Sequence, residues 1–493
     1  MRRRTGILIV VLTLDAAILP GISYWSWSQA PNTPATRNAP IEIVRHSTSA
    51  AELDRVKSDQ PVPANHSKPE VIVTESIQAA IVQARAGDTI VVPAGAIFRE
   101  HITIDKSVSL VGRGNPIIDG GGAGTVISIQ APDVHVSGLR IHNSGADLTQ
   151  YDAGVRVEGN GAHISDCEIR SGGFGIFVRG VNHCSISGND IRGPESIAVA
   201  KRGNGIHLWK TKRNQILDNH IQIKRDGIYF SFADETLVQR NQIEECRFGI
   251  HYMYSHQNRL FDNALTRNAV GATLMFARGC QIESNRVWAN RRHGILLKQV
   301  EGSTFRRNFI AGQNRGFFIQ QAAQDRFEEN MIFQNDIGVY LSNCSEQNIF
   351  TGNAFVRNAD QVWQPPDEVA LGRLASNVFY EKGRGNFWSD YAGHDAQGDG
   401  IGDTPYHETD VLGYLIDRNP EARLFALSPA VALMRKGEEL VPLMDVTGVT
   451  DLFPLIEPSA AAKRAGSSRL GNAVSLRSTT LSAAGKPASF RAP

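Results

Sequence analysis

A glycine returns at an almost constant interval through the middle of this chain, each time opening a short alternating apolar segment. The positions are Gly154, Gly175, Gly205, Gly227, Gly249, Gly271, Gly294, Gly316 and Gly338, at spacings of 21, 30, 22, 22, 22, 23, 22 and 22 residues. Asparagines keep the same step at Asn189, Asn219, Asn241, Asn263, Asn285, Asn308, Asn330 and Asn353. A unit of about 22 residues cannot own a hydrophobic core, so it has to bury its apolar side against copies of itself. Each unit carries Gly or Asn at bends where the backbone is expected to turn through positive φ, which predicts two or three short strands per unit. Such coils stack with every strand beside its equivalent one turn on, about 4.8 Å away, and the expected fold is an all-β parallel β-helix. Asparagines recurring at one bend then hydrogen-bond along the axis and satisfy buried backbone groups.

The ladder overrides what length alone would imply. A chain of 493 residues ordinarily divides into two or three compact domains, whereas a solenoid lengthens coil by coil without widening its core. The 46 glycines follow no Gly-X-Y period, which excludes collagen, and the ladder accounts for much of their excess. Lys and Arg number 51 against 50 Asp and Glu, so the net charge of +1 gives no electrostatic reason to expect nucleic acid as a partner.

Five segments follow. Residues 1–30, with Arg2 to Arg4 ahead of a short apolar run broken at Pro20, read as a secretory signal peptide, either cleaved or kept as an N-terminal anchor. Residues 31–70 read as a linker. The β-helix is expected over 71–362, entered through an amphipathic helix with Ile77, Ala80, Ile81 and Ala84 on one face that caps the open end. The longer Gly175–Gly205 step, around GPESIAVAKRG, should bulge as a loop. Residues 363–457 read as a loop and helical region, and the Ala/Ser-rich 458–493 as a disordered tail. Cys167, Cys184, Cys246, Cys280 and Cys344 are odd in number with no pairable pattern, and read as buried thiols.

The segments NGIHLWKTKRNQILDN, RDGIYFSF, FGIHYMYSHQNRLFDN, NRRHGILLK and GRGNFWSDYAGHDAQGDGIGDTPY resemble the NosD-type maturation proteins of nitrous oxide reductase, over about Val71 to Leu455. The resemblance implies a right-handed β-helix at the outer, periplasmic face of the cytoplasmic membrane, membrane-associated through a partner or the N-terminal anchor. It implies work with an ABC transporter membrane subunit, its ATPase and a copper chaperone lipoprotein, toward the copper sites of nitrous oxide reductase, with copper or a sulfur species as the cargo. It implies no catalysis by the chain itself, and no Walker-type phosphate loop is present.

Strand alternation assigns the faces without that likeness. In each Gly strand the first and third residues after Gly are almost all apolar and line the core, so the second and fourth face outward. That outward stripe gathers His207, Trp209, Tyr229, His251, Met253 and Met275 on consecutive coils, where a solvated face would carry charge. Thioether and imidazole suit Cu(I). Met253 and Met275 occupy matching positions, His251 lies two residues along, and His256 and His293 stand ready to complete or hand on a transiently bound copper ion. The same stripe reads equally as a docking surface led by His207, Trp209 and Tyr229, or as packing beneath a loop. A second constellation, Asp395, Gln397, Asp399 and Asp403 with Gly400, matches the first part of a calcium loop but has Tyr406 where the closing Glu belongs. It reads either as a structural calcium site or as an Asx-turn-rich loop. The rival function is a carbohydrate-active or carbohydrate-binding β-helix, a lyase or uronate epimerase, yet such chemistry needs convergent carboxylates and the stripe offers only Glu158.

Overall fold

The structure, a computed structural model, describes residues 70–342, 345–365, 376–409, 428–430, 433 and 447–467. The expected signal peptide, nearly all the linker, Cys344, and residues 366–375, 410–427, 431–432, 434–446 and 468–493 lie outside those residues. Parallel strands build three long sheets that share one core. Sheet I has 12 strands, from Ile102–Ile104 to Asp360–Trp363, and holds every Gly strand; sheet II has 13, from Glu70–Ile72 to Ile349–Thr351; sheet III has 13, from Ile97–Phe98 to Phe387–Trp388. Successive coils pair in register, so Ile206, Ile228, Ile250, Ala272, Ile295, Phe317, Val339 and Val362 form one inward column. The chain is the all-β parallel solenoid that its periodicity dictates.

The ladder glycines have a different cause from the one expected. None lies at positive φ; a Cβ on Gly227 would stand 2.5 Å from the Gly249 carbonyl oxygen and 2.3 Å from Ile243 Cγ2, and Gly205 to Gly338 repeat that clash with the next coil. They are needed for close approach, not for a left-handed bend. The left-handed bends fall instead on the residue before each asparagine from Asn189 to Asn353: Gly188 and Gly352 at φ 66°, and Asp218, Arg240, Asp262, Ser284, Arg307 and Glu329 with φ of 52–56°. That conformation costs roughly 1–2 kcal/mol for a residue with a Cβ, and the asparagine that follows offsets it. Each ladder side chain accepts from the backbone N–H and the side-chain amide of the preceding ladder asparagine, both near 3.0 Å, and donates to carbonyls. The ladder runs past Asn353 to Asn386. A second ladder, Asn268, Asn290, Gln313, Asn335 and Asn358, turns the chain into sheet I.

The described cysteines belong to this same system. The backbone N–H groups of Cys167, Cys184 and Cys246 donate to ladder asparagines one coil on, and that of Cys280 to Ser303 Oγ, so each thiol stands where a ladder amide would. All four are free and buried. Burial pushes the thiols up to about 11 for Cys184 and about 12 for the others, so they remain protonated.

Helix α1 (Ile77–Gln83) caps the first coil, burying Ile77 and Ile81. Its amide end is held by Ser76 Oγ and by the Glu100 carboxylate, which accepts from Ile77 and Gln78 N–H. Lys106 Nζ donates to the Ile81, Val82 and Ala84 carbonyls at the other end, so both ends of the dipole meet the opposite charge. At the far end, Ala460–Ser467 forms α2, inside the stretch expected to be disordered. Ala462 packs on Phe309, Met331 and Ala354, because the outer face of sheet III turns apolar on these last coils and leaves an alanine-rich segment something to cover.

Candidate functional site

The outward side of sheet I is built by two columns. The second residues after Gly put His207, Tyr229, His251 and Thr273 in register; the fourth put Trp209, Ser231, Met253, Met275 and Lys298 in register. Rings in the first column meet edge to face: Phe177 and His207 at 4.9 Å, His207 and Tyr229 at 4.8 Å, Tyr229 and His251 at 4.9 Å. Met253 and Met275 are half-buried neighbours on adjacent coils.

His251 departs from the exposed position that alternation assigns it. The side chain packs against Tyr229 and Phe248 and is only 8% exposed. Its Nδ1 lies 3.1 Å from Asp226 Oδ2 on the preceding coil, and the same carboxylate receives Arg247 Nε and Nη2, each at 2.9 Å. Burial works to raise the Asp226 carboxyl, but the His251 and Arg247 contacts win and hold it down at about 2. His251 Nε2 is buried with no partner, as is the hydroxyl of Thr273 one coil on. His207 differs: its Nδ1 takes a contact of 3.3 Å from the Asn204 amide nitrogen, and burial pushes it down to about 3, so it is a neutral ring wedged among aromatics.

The remaining expected ligands do not join them. His293 sits at the start of its strand, two coils beyond His251, stacked on Phe318 at 4.8 Å; two strand spacings are about 9.6 Å, too far to share one ion. Burial, with Arg315 and Arg292 beside it, pushes His293 down to about 4, and its Nδ1 is unpartnered. His256 lies on the bend past Met253, its backbone N–H bonded to Asp234. Among the described residues no three His, Cys, Asp or Glu side chains gather as a metal cluster. The acidic loop bonds to its own amides: Asp395 accepts from the Gly398, Asp399 and Gly400 amides, Asp403 from Ala396 and Gln397, and Asp399 from Ile401. It is an Asx-turn-rich loop, and the calcium expectation finds no support there.

Two features escaped strand alternation. Asp226 precedes its glycine, where the pattern assigns no face. Phe232, Tyr254 and Phe276, each the fifth residue after Gly, form a stack with centroids 5.3 and 4.5 Å apart, all at positive φ. Phe232 and Tyr254 are 51% and 42% exposed. Their common offset from Gly was a readable signal. Beside them Trp209 is half-buried under Arg179 and Lys210, 5.2 and 4.9 Å from its ring.

Fold and face together define a parallel β-solenoid whose distinctive surface is a stripe of imidazole, thioether and aromatic groups. Residues 194–393 match the family described as periplasmic copper-binding protein (NosD). The probable ABC transporter binding protein NosD of Stutzerimonas stutzeri is 33% identical over 382 residues, 74% of this chain and 86% of that protein. Its namesake in Pseudomonas aeruginosa is 32% identical over 387 residues, 75% and 89%. The chain belongs to the NosD family. Among solved structures, the A-module of the Azotobacter vinelandii mannuronan C-5 epimerase AlgE4 covers 63% of this chain and 89% of its own, at 17% identity and a TM-score of 0.44.

Proposed function

We propose that this protein is an extracytoplasmic accessory factor that receives copper, or hands it on, during assembly of the copper sites of nitrous oxide reductase, and that it performs no catalysis of its own. Its partners on this reading are the membrane subunit and ATPase of an ABC transporter, a copper chaperone lipoprotein, and the reductase. The family description and the names of the two relatives support the copper and transporter parts. The observation that carries it is the in-register Met253–Met275 pair beside His251, whose Nε2 lone pair is unclaimed. Two soft thioethers and a neutral imidazole form a Cu(I) donor set, and half-buried methionines let a partner approach the same spot. The Phe232–Tyr254–Phe276 stack, exposed at Phe232 and Tyr254, borders the pair, so docking and transfer belong to one face. A hydrolase or lyase would need convergent carboxylates, but Glu158 lies against Arg156 and Arg179, and Asp226 against Arg247.

Cu(I) titration against a competing chelator tests this reading. The Met253→Leu, Met275→Leu double variant keeps side-chain volume, so folding should be preserved, while Cu(I) affinity is expected to fall at least about tenfold, roughly 1.4 kcal/mol. Unchanged affinity would remove the thioether site. A maturation factor should also co-purify with transporter subunits from membranes, and release of product from pectin or alginate would favour the carbohydrate-active alternative.

A further inference from the structure

Asp226 is a charged group that the copper reading does not use, and its surroundings are costly to build. At 1% exposure its carboxylate is removed from water, which several kcal/mol disfavour unless its oxygens are paired. Arg247 meets it with two N–H donors, and His251 Nδ1 takes the remaining contact. An ionised carboxylate only accepts, so the His251 nitrogen facing it must carry the hydrogen. A second hydrogen on Nε2 would be buried with no acceptor. One arrangement satisfies both conditions: a neutral imidazole with Nδ1–H toward Asp226 and a bare lone pair on Nε2. His207, two coils earlier in the same column, shows the opposite choice. There the Asn204 amide donates to Nδ1, the lone pair is consumed, and the hydrogen goes to Nε2.

We propose that Asp226, fixed by Arg247, is a positioning residue that holds His251 in the Nδ1–H tautomer and so makes Nε2 the imidazole atom of this face that takes up Cu(I). The proposal rests on the copper reading above. Carboxylates behind metal-binding histidines orient the ring and raise its basicity, and their loss typically lowers metal affinity about 10–100-fold. Thr273, in register with His251 on the next coil, also holds a buried hydroxyl without a partner.

The test reads the tautomer and the metal separately. In the metal-free full chain, 15N NMR of the His251 ring, assigned by its loss in His251→Gln, should show one species protonated at Nδ1. The Asp226→Leu, Arg247→Met double variant removes both charges together, so no buried charge is stranded. It should show mixed tautomers and Cu(I) affinity lowered about 10–100-fold. Protonation at Nε2 in the wild-type protein overturns the proposal without any variant having to fold, even where Cu(I) still binds. An Nδ1–H tautomer in a protein that binds no Cu(I) overturns the copper reading instead, and the metal role of Asp226 with it. Affinity unchanged in a folded double variant overturns the positioning role alone.

Discussion

Replacing Asn285 by alanine should cost this protein about 4 kcal/mol, at 1–3 kcal/mol for each buried group left unpaired. Asn285 is 1% exposed and sits mid-ladder. Its Oδ1 accepts the Asn263 backbone N–H at 3.0 Å and the Asn263 amide at 2.9 Å. Its Nδ2 donates to the Leu260 and Glu283 carbonyls and to Asn308 Oδ1. Alanine strands the Asn263 backbone N–H and one hydrogen of the Asn263 side-chain amide, and also removes the support for Ser284 at φ 56°. Urea unfolding should show a midpoint shift of this size while Cu(I) affinity stays unchanged. A cost below about 1 kcal/mol would mean that the ladder is decoration on a solenoid held by its core alone.

The second large effect has the opposite sign. Asp325 stands where the neighbouring Asn348 and Asn377 continue a further ladder, is 0% exposed, and has one oxygen bonded to the Ser303 N–H and the other without a partner. Asn348 and Asn377 each donate to a carbonyl three residues before the ladder position one coil back, Ala322 and Ser345; a carboxylate cannot do so. Burial, assisted by Glu301, raises the Asp325 carboxyl from 3.8 to about 7. The folded state therefore holds a proton that the unfolded state releases, and stability falls as pH rises from about 4 to about 7, by at most about 4 kcal/mol. Asp325→Asn supplies the missing donor and removes the titration. The variant should be more stable than the parent by up to that amount at pH 8, with the difference shrinking toward pH 4. Urea midpoints across this range check it; a difference independent of pH would place the Asp325 carboxyl at its ordinary value.

The periodicity of 22 was enough to specify coil, sheet direction and ladder, because a repeat that cannot bury itself has one way to do so, by stacking in register. Even the cause of the ladder glycines could not be read that way: a sequence shows that Cβ is absent, not whether a backbone angle or the carbonyl of the next coil forbids it. The helix at Ala460–Ser467 was similarly hidden, since its alanines become a packing surface only against Phe309 and Met331, more than a hundred residues earlier.

For the site the division falls between identity and state. Strand alternation placed Met253, Met275 and His251 on one face of neighbouring coils from the sequence alone, because a period of two and a period of 22 together fix both side and level. It put His207 on the same stripe as a docking residue, and the sequence offered His256 and His293 as residues that complete or hand on the ion. The tertiary structure separated these histidines, burying His251 against Asp226 and Arg247, tying His207 to Asn204 and setting His293 two coils away. That difference depends on which donors and acceptors lie diagonally across adjacent coils. No one-dimensional pattern records it, because the partner that decides a histidine's tautomer is 25 residues away along the chain and one strand away in space.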